Sequence, residues 1–157
     1  MKGSRRTSLA SAGLLLLVVS GCAAGPQVDL DEAQAWLDEV KSEESDGPGA
    51  AGTASMLIET ETSGHGEDVT LDFENPTPLV RADARCFGGG TADVTVTVAA
   101  AEGDPSDSFD AEIPCDREAH GIPLDPAVLA SSATVAAHGS ATTYLHITLI
   151  QEMVVER

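Results

Sequence analysis

The chain has 157 residues and a formal net charge of −18 at pH 7, from 8 basic and 26 acidic side chains. A surface this acidic repels nucleic-acid phosphates, so the composition excludes a nucleic-acid-binding protein. It also repels anionic lipid headgroups, and electrostatic attraction to a membrane is excluded for the same reason.

The first 22 residues have the layout of a bacterial export signal. Basic residues lie within positions 2–6, an uncharged apolar run occupies 9–21, and the run ends in Val19-Ser20-Gly21-Cys22. These last four residues resemble a lipobox, in which the cysteine thiol receives diacylglycerol and becomes the first residue of the mature chain. We therefore predict a lipoprotein signal peptide over 1–21 and lipidation at Cys22.

Two other interpretations of this leader are a transmembrane helix and an ordinary secretory signal. The apolar run is shorter than the about 20 residues that a transmembrane helix needs, and an ordinary secretory signal has no need of a cysteine at its boundary. The Arg5-Arg6 pair partly matches a twin-arginine signal, with Ser8 in place of the usual phenylalanine. Both the general secretory route and the twin-arginine route therefore remain open.

Removal of the leader makes the mature chain still more acidic. The leader holds three of the basic residues and no acidic one, so the formal charge after cleavage is −21. Attachment to the membrane must then come from the lipid, which places the protein on the outer face of the cytoplasmic membrane. We predict a tether, a short helix and a linker over 22–52 and a β-domain over 53–157.

A short amphipathic helix is predicted soon after the tether. Acidic residues lie opposite an apolar stripe at helical spacing. The stripe consists of Leu30, Ala33, Leu37 and Val40. Asp29 is the expected N-cap, and Glu32 completes a start that resembles a capping box. Trp36 borders the apolar stripe, and we expect it to pack against the folded domain; the alternative is a position at the membrane headgroups.

Beyond a glycine-rich stretch at 45–52, predicted to be a flexible linker, the period of apolar residues changes to two. Strands are predicted at 55–62, 69–73, 80–86, 92–98, 109–115, 134–137 and 143–150. A helical turn capped by Asp125 is expected over 125–129. About seven short strands separated by turns predict an all-β fold, an immunoglobulin-like β-sandwich.

Two cysteines remain once Cys22 is assigned to lipid. Cys86 lies on the apolar side of the strand predicted at 80–86, and Cys115 lies on the apolar side of the strand at 109–115. An even pair of inward-facing thiols in an exported protein predicts a disulfide. A metal site is the rival interpretation, but two thiols without nearby ligands at the usual spacing make a poor one.

Part of the chain resembles small actinobacterial lipoproteins. The resemblance rests on Arg85-Cys86-Phe87-Gly88-Gly89-Gly90, a valine-rich strand at 92–98, Ile113-Pro114-Cys115-Asp116 and an aromatic-containing strand at 143–149. It covers about residues 79–151, and the scarcity of lysine and asparagine agrees with a high-GC source. The resemblance implies a β-sandwich with a disulfide. It implies no activity.

No recognisable catalytic motif is present, so the prediction is a non-enzymatic envelope or binding module, without a cofactor, that acts on an unidentified envelope protein or ligand. Asp104, Asp107 and Asp110 are a weak calcium candidate, because clustered carboxylates suit that ion. A calcium-responsive accessory protein is therefore one alternative. A small metal-dependent or hydrolytic enzyme that uses His65 or His120 is the other, although the histidines are expected to face solvent.

Overall fold

The computed structural model describes residues 28–44, 47–59, 67–101 and 106–153. The described chain is mostly β-structure, with one N-terminal helix and six strands that pair in an antiparallel manner. The elements are α1 (Leu30–Glu44), β1 (Ala50–Ile58), β2 (Glu67–Ala100), β3 (Asp107–Asp116), β4 (His120–Pro123), β5 (Leu129–Gly139) and β6 (Thr143–Gln151).

Strand β2 organises the fold because it changes partners along its length. Its first part, residues 67–78, pairs with β5. Its middle part, residues 79–87, lies between β6 and β4. Its last part, residues 91–100, lies between β3 and β5, while β1 pairs with the free side of β6. The pairing therefore forms two neighbour groups, β1-β6-β2-β4 and β3-β2-β5-β2.

A glycine bulge separates the middle and last parts of β2. Gly88, Gly89 and Gly90 have φ values of 147°, 133° and 76°, which residues with a side chain rarely adopt. Space is also limiting, since a Cβ on Gly88 would lie 2.8 Å from the carbonyl oxygen of Thr142. The register with β3 shifts across this segment. The three glycines thus allow β2 to leave one neighbour group and enter the other.

One apolar core joins the two groups. Alternate residues of the strands point into it, and its largest fully buried side chains include Leu79, Val94, Val96, Val135, Leu145, Ile147 and Leu149. Cys86 and Cys115 form a disulfide at its edge, as predicted, with a sequence separation of 29. On the chain-entropy model a loop of this length contributes about 3 to 4 kcal/mol.

The predicted helix and its cap are confirmed. Asp29 Oδ1 accepts hydrogen bonds from the backbone N–H of Asp31 at 3.0 Å and of Glu32 at 3.1 Å. The helix continues to Glu44, beyond the apolar pattern that predicted it. Trp36 is 8% exposed and packs against the folded domain, as expected. No helix in the described ranges is long and apolar enough to span a membrane.

Several predicted boundaries are wrong. Strand β1 begins at Ala50, inside the predicted linker, because Gly49 turns the chain with a φ of 87° and Ala50 pairs with Ile150. The three strands predicted between 69 and 98 are parts of β2, and β4 was not predicted at all. Residues 125–128 form a single turn, closed by a hydrogen bond from the Val128 N–H to the Asp125 carbonyl at 3.2 Å, and Leu129 already belongs to β5. Asp125 Oδ1 accepts from Ala127 N–H at 2.9 Å, and the next strand follows directly.

Candidate functional site

Helix α1 covers the outer face of β6 and of the middle part of β2. It does so through a second apolar cluster that is separate from the main core. The cluster comprises the buried residues Ala33, Trp36, Leu37, Val40 and Phe87, with Val28 and Tyr144 partly buried beside them. The apolar stripe of the helix therefore has its partner on the sheet, and β6 is covered on both faces.

An aromatic contact holds the first half of α1. The ring centroids of Trp36 and Phe87 lie 5.4 Å apart, with an interplanar angle of 36°. The Arg117 guanidinium carbon lies 4.4 Å from the centroid of Phe87, in a cation–π contact, and its Nη2 donates to Glu32 Oε1 at 2.7 Å. Both members of that ion pair are more than half exposed, so it contributes about 0 to 1 kcal/mol. The aromatic contact is the main attachment here.

A partly buried polar cluster holds the last turn of α1; we call it the helix-end cluster. Its members are Glu44, Ser55, Arg85, His146 and Thr148. Glu44 Oε2 accepts from Thr148 Oγ1 at 2.6 Å, and Glu44 Oε1 lies 2.6 Å from Arg85 Nε. His146 is 0% exposed, and its Nδ1 lies 2.8 Å from Ser55 Oγ. One carboxylate of the helix thus reaches side chains on two strands.

The charges in this cluster are not all matched by good hydrogen bonds. Arg85 Nε is close enough to Glu44 for an ion pair, yet its N–H does not point at an acceptor within the described part of the chain. The side chain of Glu44 is 15% exposed and that of Arg85 is 28% exposed. Because water reaches little of either group, each charge needs the other for compensation.

Burial lowers the pKa of His146. The carboxylate of Glu44 opposes this effect, whereas Lys41 and Arg85 lower the pKa further. The imidazole is therefore neutral at pH 7. The hydrogen bonds favour the Nε2–H tautomer, because Ser55 can then donate to Nδ1 while Nε2–H faces Thr148 Oγ1 at 3.4 Å.

Ser55, His146 and Glu44 have the order of a nucleophile, a base and an orienting carboxylate. Their geometry does not suit that chemistry. His146 Nε2 lies 3.5 Å from Glu44 Oε2, which is beyond a good hydrogen bond, and the carboxylate already binds Thr148 and Arg85. His146 has no exposed edge that a substrate can reach. The arrangement is therefore built as a contact between helix and sheet.

The positions predicted from the sequence fall into two groups. Cys86 and Cys115 are joined, and the hydroxyl of Thr143 lies 3.0 Å and 3.2 Å from their sulfurs. Cys22 lies outside the described residues, as do His65 and Asp104.

The other two calcium candidates lie in a strand rather than a loop. Asp107 and Asp110 both belong to β3, opposite Val98 and Thr95 of β2. Because they are three residues apart, they point to opposite faces of the strand. Asp110 accepts a hydrogen bond from Thr95 Oγ1 at 2.6 Å. Among the described residues, no group of three or more histidine, cysteine, aspartate or glutamate side chains is placed to hold a metal ion.

The described histidines occupy three different environments. His138 is exposed, as expected. His120 Nε2 lies 2.9 Å from Asp116 Oδ1, and this hydrogen bond, followed by one from the Glu118 N–H, lowers the pKa of the Asp116 carboxyl. The expectation of solvent-facing histidines is wrong for His146, because α1 covers it.

A shallow groove of about 310 Å³ lies between the last part of β2 and β3. Asp93, Thr95, Asp110 and Glu112 line it, and Asp93 is paired directly across from Glu112. Like charges at opposed positions of two strands repel. The groove therefore disfavours anionic ligands.

Sequence reasoning missed the helix-end cluster. Alternation along β6 placed His146 and Thr148 opposite the core residues, and such positions usually face water. The apolar stripe around Trp36 was the available signal, since it needed a surface to cover.

Comparisons with protein-family models, with curated proteins and with solved structures gave no match.

We predict that Glu44→Gln lowers the free energy of unfolding by about 1 to 3 kcal/mol, because it leaves the half-buried Arg85 without a counter-charge. Glu43→Gln is the matched control, since Glu43 is exposed on the same turn. That substitution should change stability by no more than about 0.5 kcal/mol. Urea unfolding of the full chain measures both values, and equal effects of the two variants would contradict a role for the Glu44 contacts.

Proposed function

We propose that the protein is an exported lipoprotein of the cell envelope. Diacylglycerol on Cys22 holds it on the outer face of the cytoplasmic membrane. The Val19-Ser20-Gly21-Cys22 motif after an apolar run carries this proposal. A diacylglyceryl group provides two acyl chains, which is the number that stable anchoring requires.

The disulfide supports the export part of the proposal. Disulfides persist in oxidising compartments and are rare in the bacterial cytoplasm. The high negative charge agrees with attachment through lipid rather than through basic residues. The resemblance of residues 79–151 to small actinobacterial lipoproteins also favours this proposal.

We further propose that the anchored domain is a non-enzymatic interaction module, which binds an envelope protein or another ligand. We assign it an immunoglobulin-like β-sandwich. Two features support that arrangement: the two neighbour groups of strands, and the single core between them. Sandwiches of this kind commonly serve as binding domains, although fold alone does not define a partner.

Replacement of Cys22 tests the anchor. We expect Cys22→Ala to release the protein from the membrane fraction or to stall its processing, because no thiol is left to receive the lipid. Ser20→Ala is the control, since it keeps a small residue before the cysteine and should leave lipidation intact. Fractionation and mass spectrometry of the N-terminal peptide report the result. Membrane retention and size that stay unchanged in Cys22→Ala would contradict the proposal.

The hydrolase alternative can be tested at Ser55. We expect no labelling of the native full chain by a fluorophosphonate probe, because the nucleophile's partner His146 is fully buried and poorly aligned with Glu44. Ser55→Ala should give the same background as the unmodified chain. Labelling that disappears in Ser55→Ala would instead establish an activated serine and favour the enzyme.

A further inference from the structure

The helix-end cluster places a titratable side chain where the helix meets the sheet. His146 belongs to β6, and it contacts Ser55 of β1 and lies 3.5 Å from Glu44 of α1. It is 0% exposed, and the last turn of α1 lies against it through Glu44. Movement of that turn away from the sheet would bring the imidazole into contact with water.

Burial is the main reason that the protonated form of His146 is unfavourable in the docked state; the charge of Glu44 favours that form, and the charges of Lys41 and Arg85 oppose it. Glu44 and Lys41 face it from α1, and Arg85 faces it from β2. Its other neighbours, Ser55 of β1 and Thr148 of β6, are neutral hydroxyls. The Glu44 carboxylate already forms an ion pair with Arg85, so a protonated imidazole would add a second cation beside one anion in a site with little water.

We propose that the helix-end cluster is an acid-sensitive latch, in which protonation of His146 releases the last turn of α1 from β6. At neutral pH the Nδ1 atom of the uncharged ring accepts a hydrogen bond from the Ser55 hydroxyl at 2.8 Å. On acidification the ring gains a proton more readily when the helix has moved away. The latch does not require Cys22, although in a lipid-anchored chain its release would change how the sheet is joined to the anchor.

The sign of the effect follows from linkage. Burial holds the pKa of docked His146 below its ordinary value of 6.5, so the undocked form binds the proton first. The contribution of His146 to docking is therefore complete above pH 6.5 and is lost as the pH falls toward the docked pKa. One coupled proton changes the ratio of docked to undocked helix by at most about tenfold per pH unit.

Hydrogen exchange of the full chain in detergent tests the latch. Below pH 6.5 we expect exchange of the amides in the last turn of α1, corrected for the intrinsic effect of pH, to rise by up to about tenfold per pH unit. The amides of β5 should keep their protection over the same range. His146→Gln, which keeps hydrogen-bonding groups but cannot be protonated, should remove the pH dependence in α1. His138→Gln, at an exposed position, should retain it.

Two results would overturn the latch in this experiment. One is α1 protection that does not change with pH, or that changes equally in His146→Gln. The other is a parallel loss of protection in β5, which would mean that acid unfolds the whole domain.

A second test uses the unsubstituted chain, so it does not depend on whether a variant folds. It is a pH titration followed by NMR. The His146 ring should titrate below its ordinary value of 6.5, and its midpoint should coincide with a shift of the backbone amide resonances in the last turn of α1. Protonation of His146 while the amide resonances of residues 41–44 remain unchanged would overturn the proposal.

Discussion

Helix α1 packs on the outer face of β6, and this contact determines the environment of every side chain on that face. Tyr144, His146 and Thr148 point away from the main core, and without the helix they would lie in water. With it, His146 and Thr148 are buried, and β6 becomes an internal layer. The helix is attached at both ends by different chemistry, an aromatic contact near Trp36 and a polar cluster at Glu44.

The glycine bulge and the disulfide link this outer contact to the core. Phe87, which supports Trp36, lies between Cys86 and the bulge at Gly88. The hydroxyl of Thr143 donates to the Phe87 carbonyl at 2.7 Å, which fixes the strand at that point. The turn after Cys115 then brings Arg117 over the same ring. The disulfide and the glycine bulge therefore position Phe87, the residue of the sheet against which Trp36 of α1 packs.

The sequence contains enough local information to predict some of this structure. The helical period and Asp29 predicted α1 and its cap, because both signals act within a few residues. The alternation of apolar residues along their two strands predicted that Cys86 and Cys115 would both face the interior. These predictions needed no knowledge of distant contacts beyond the alternation of a strand.

Other features depend on partners that alternation does not identify. The continuity of β2 through Pro76 and the glycine bulge follows from its pairing with β5 and β6. The early start of β1 likewise follows from pairing with the end of β6. The burial of His146 required knowledge of what covers the second face of the sheet. The helix-end cluster therefore could not be predicted from the alternation of apolar residues within single strands.

The contact between Trp36 and Phe87 gives the most direct test of the docked helix, since Trp36 is the chain's one tryptophan and its signals are unambiguous. Nuclear Overhauser spectra of the full chain at neutral pH should show cross-peaks between the Trp36 indole and the Phe87 ring. Cross-peaks from Trp36 to its own helix alone, with none to Phe87 or Tyr144, would contradict the packing of α1 on the sheet.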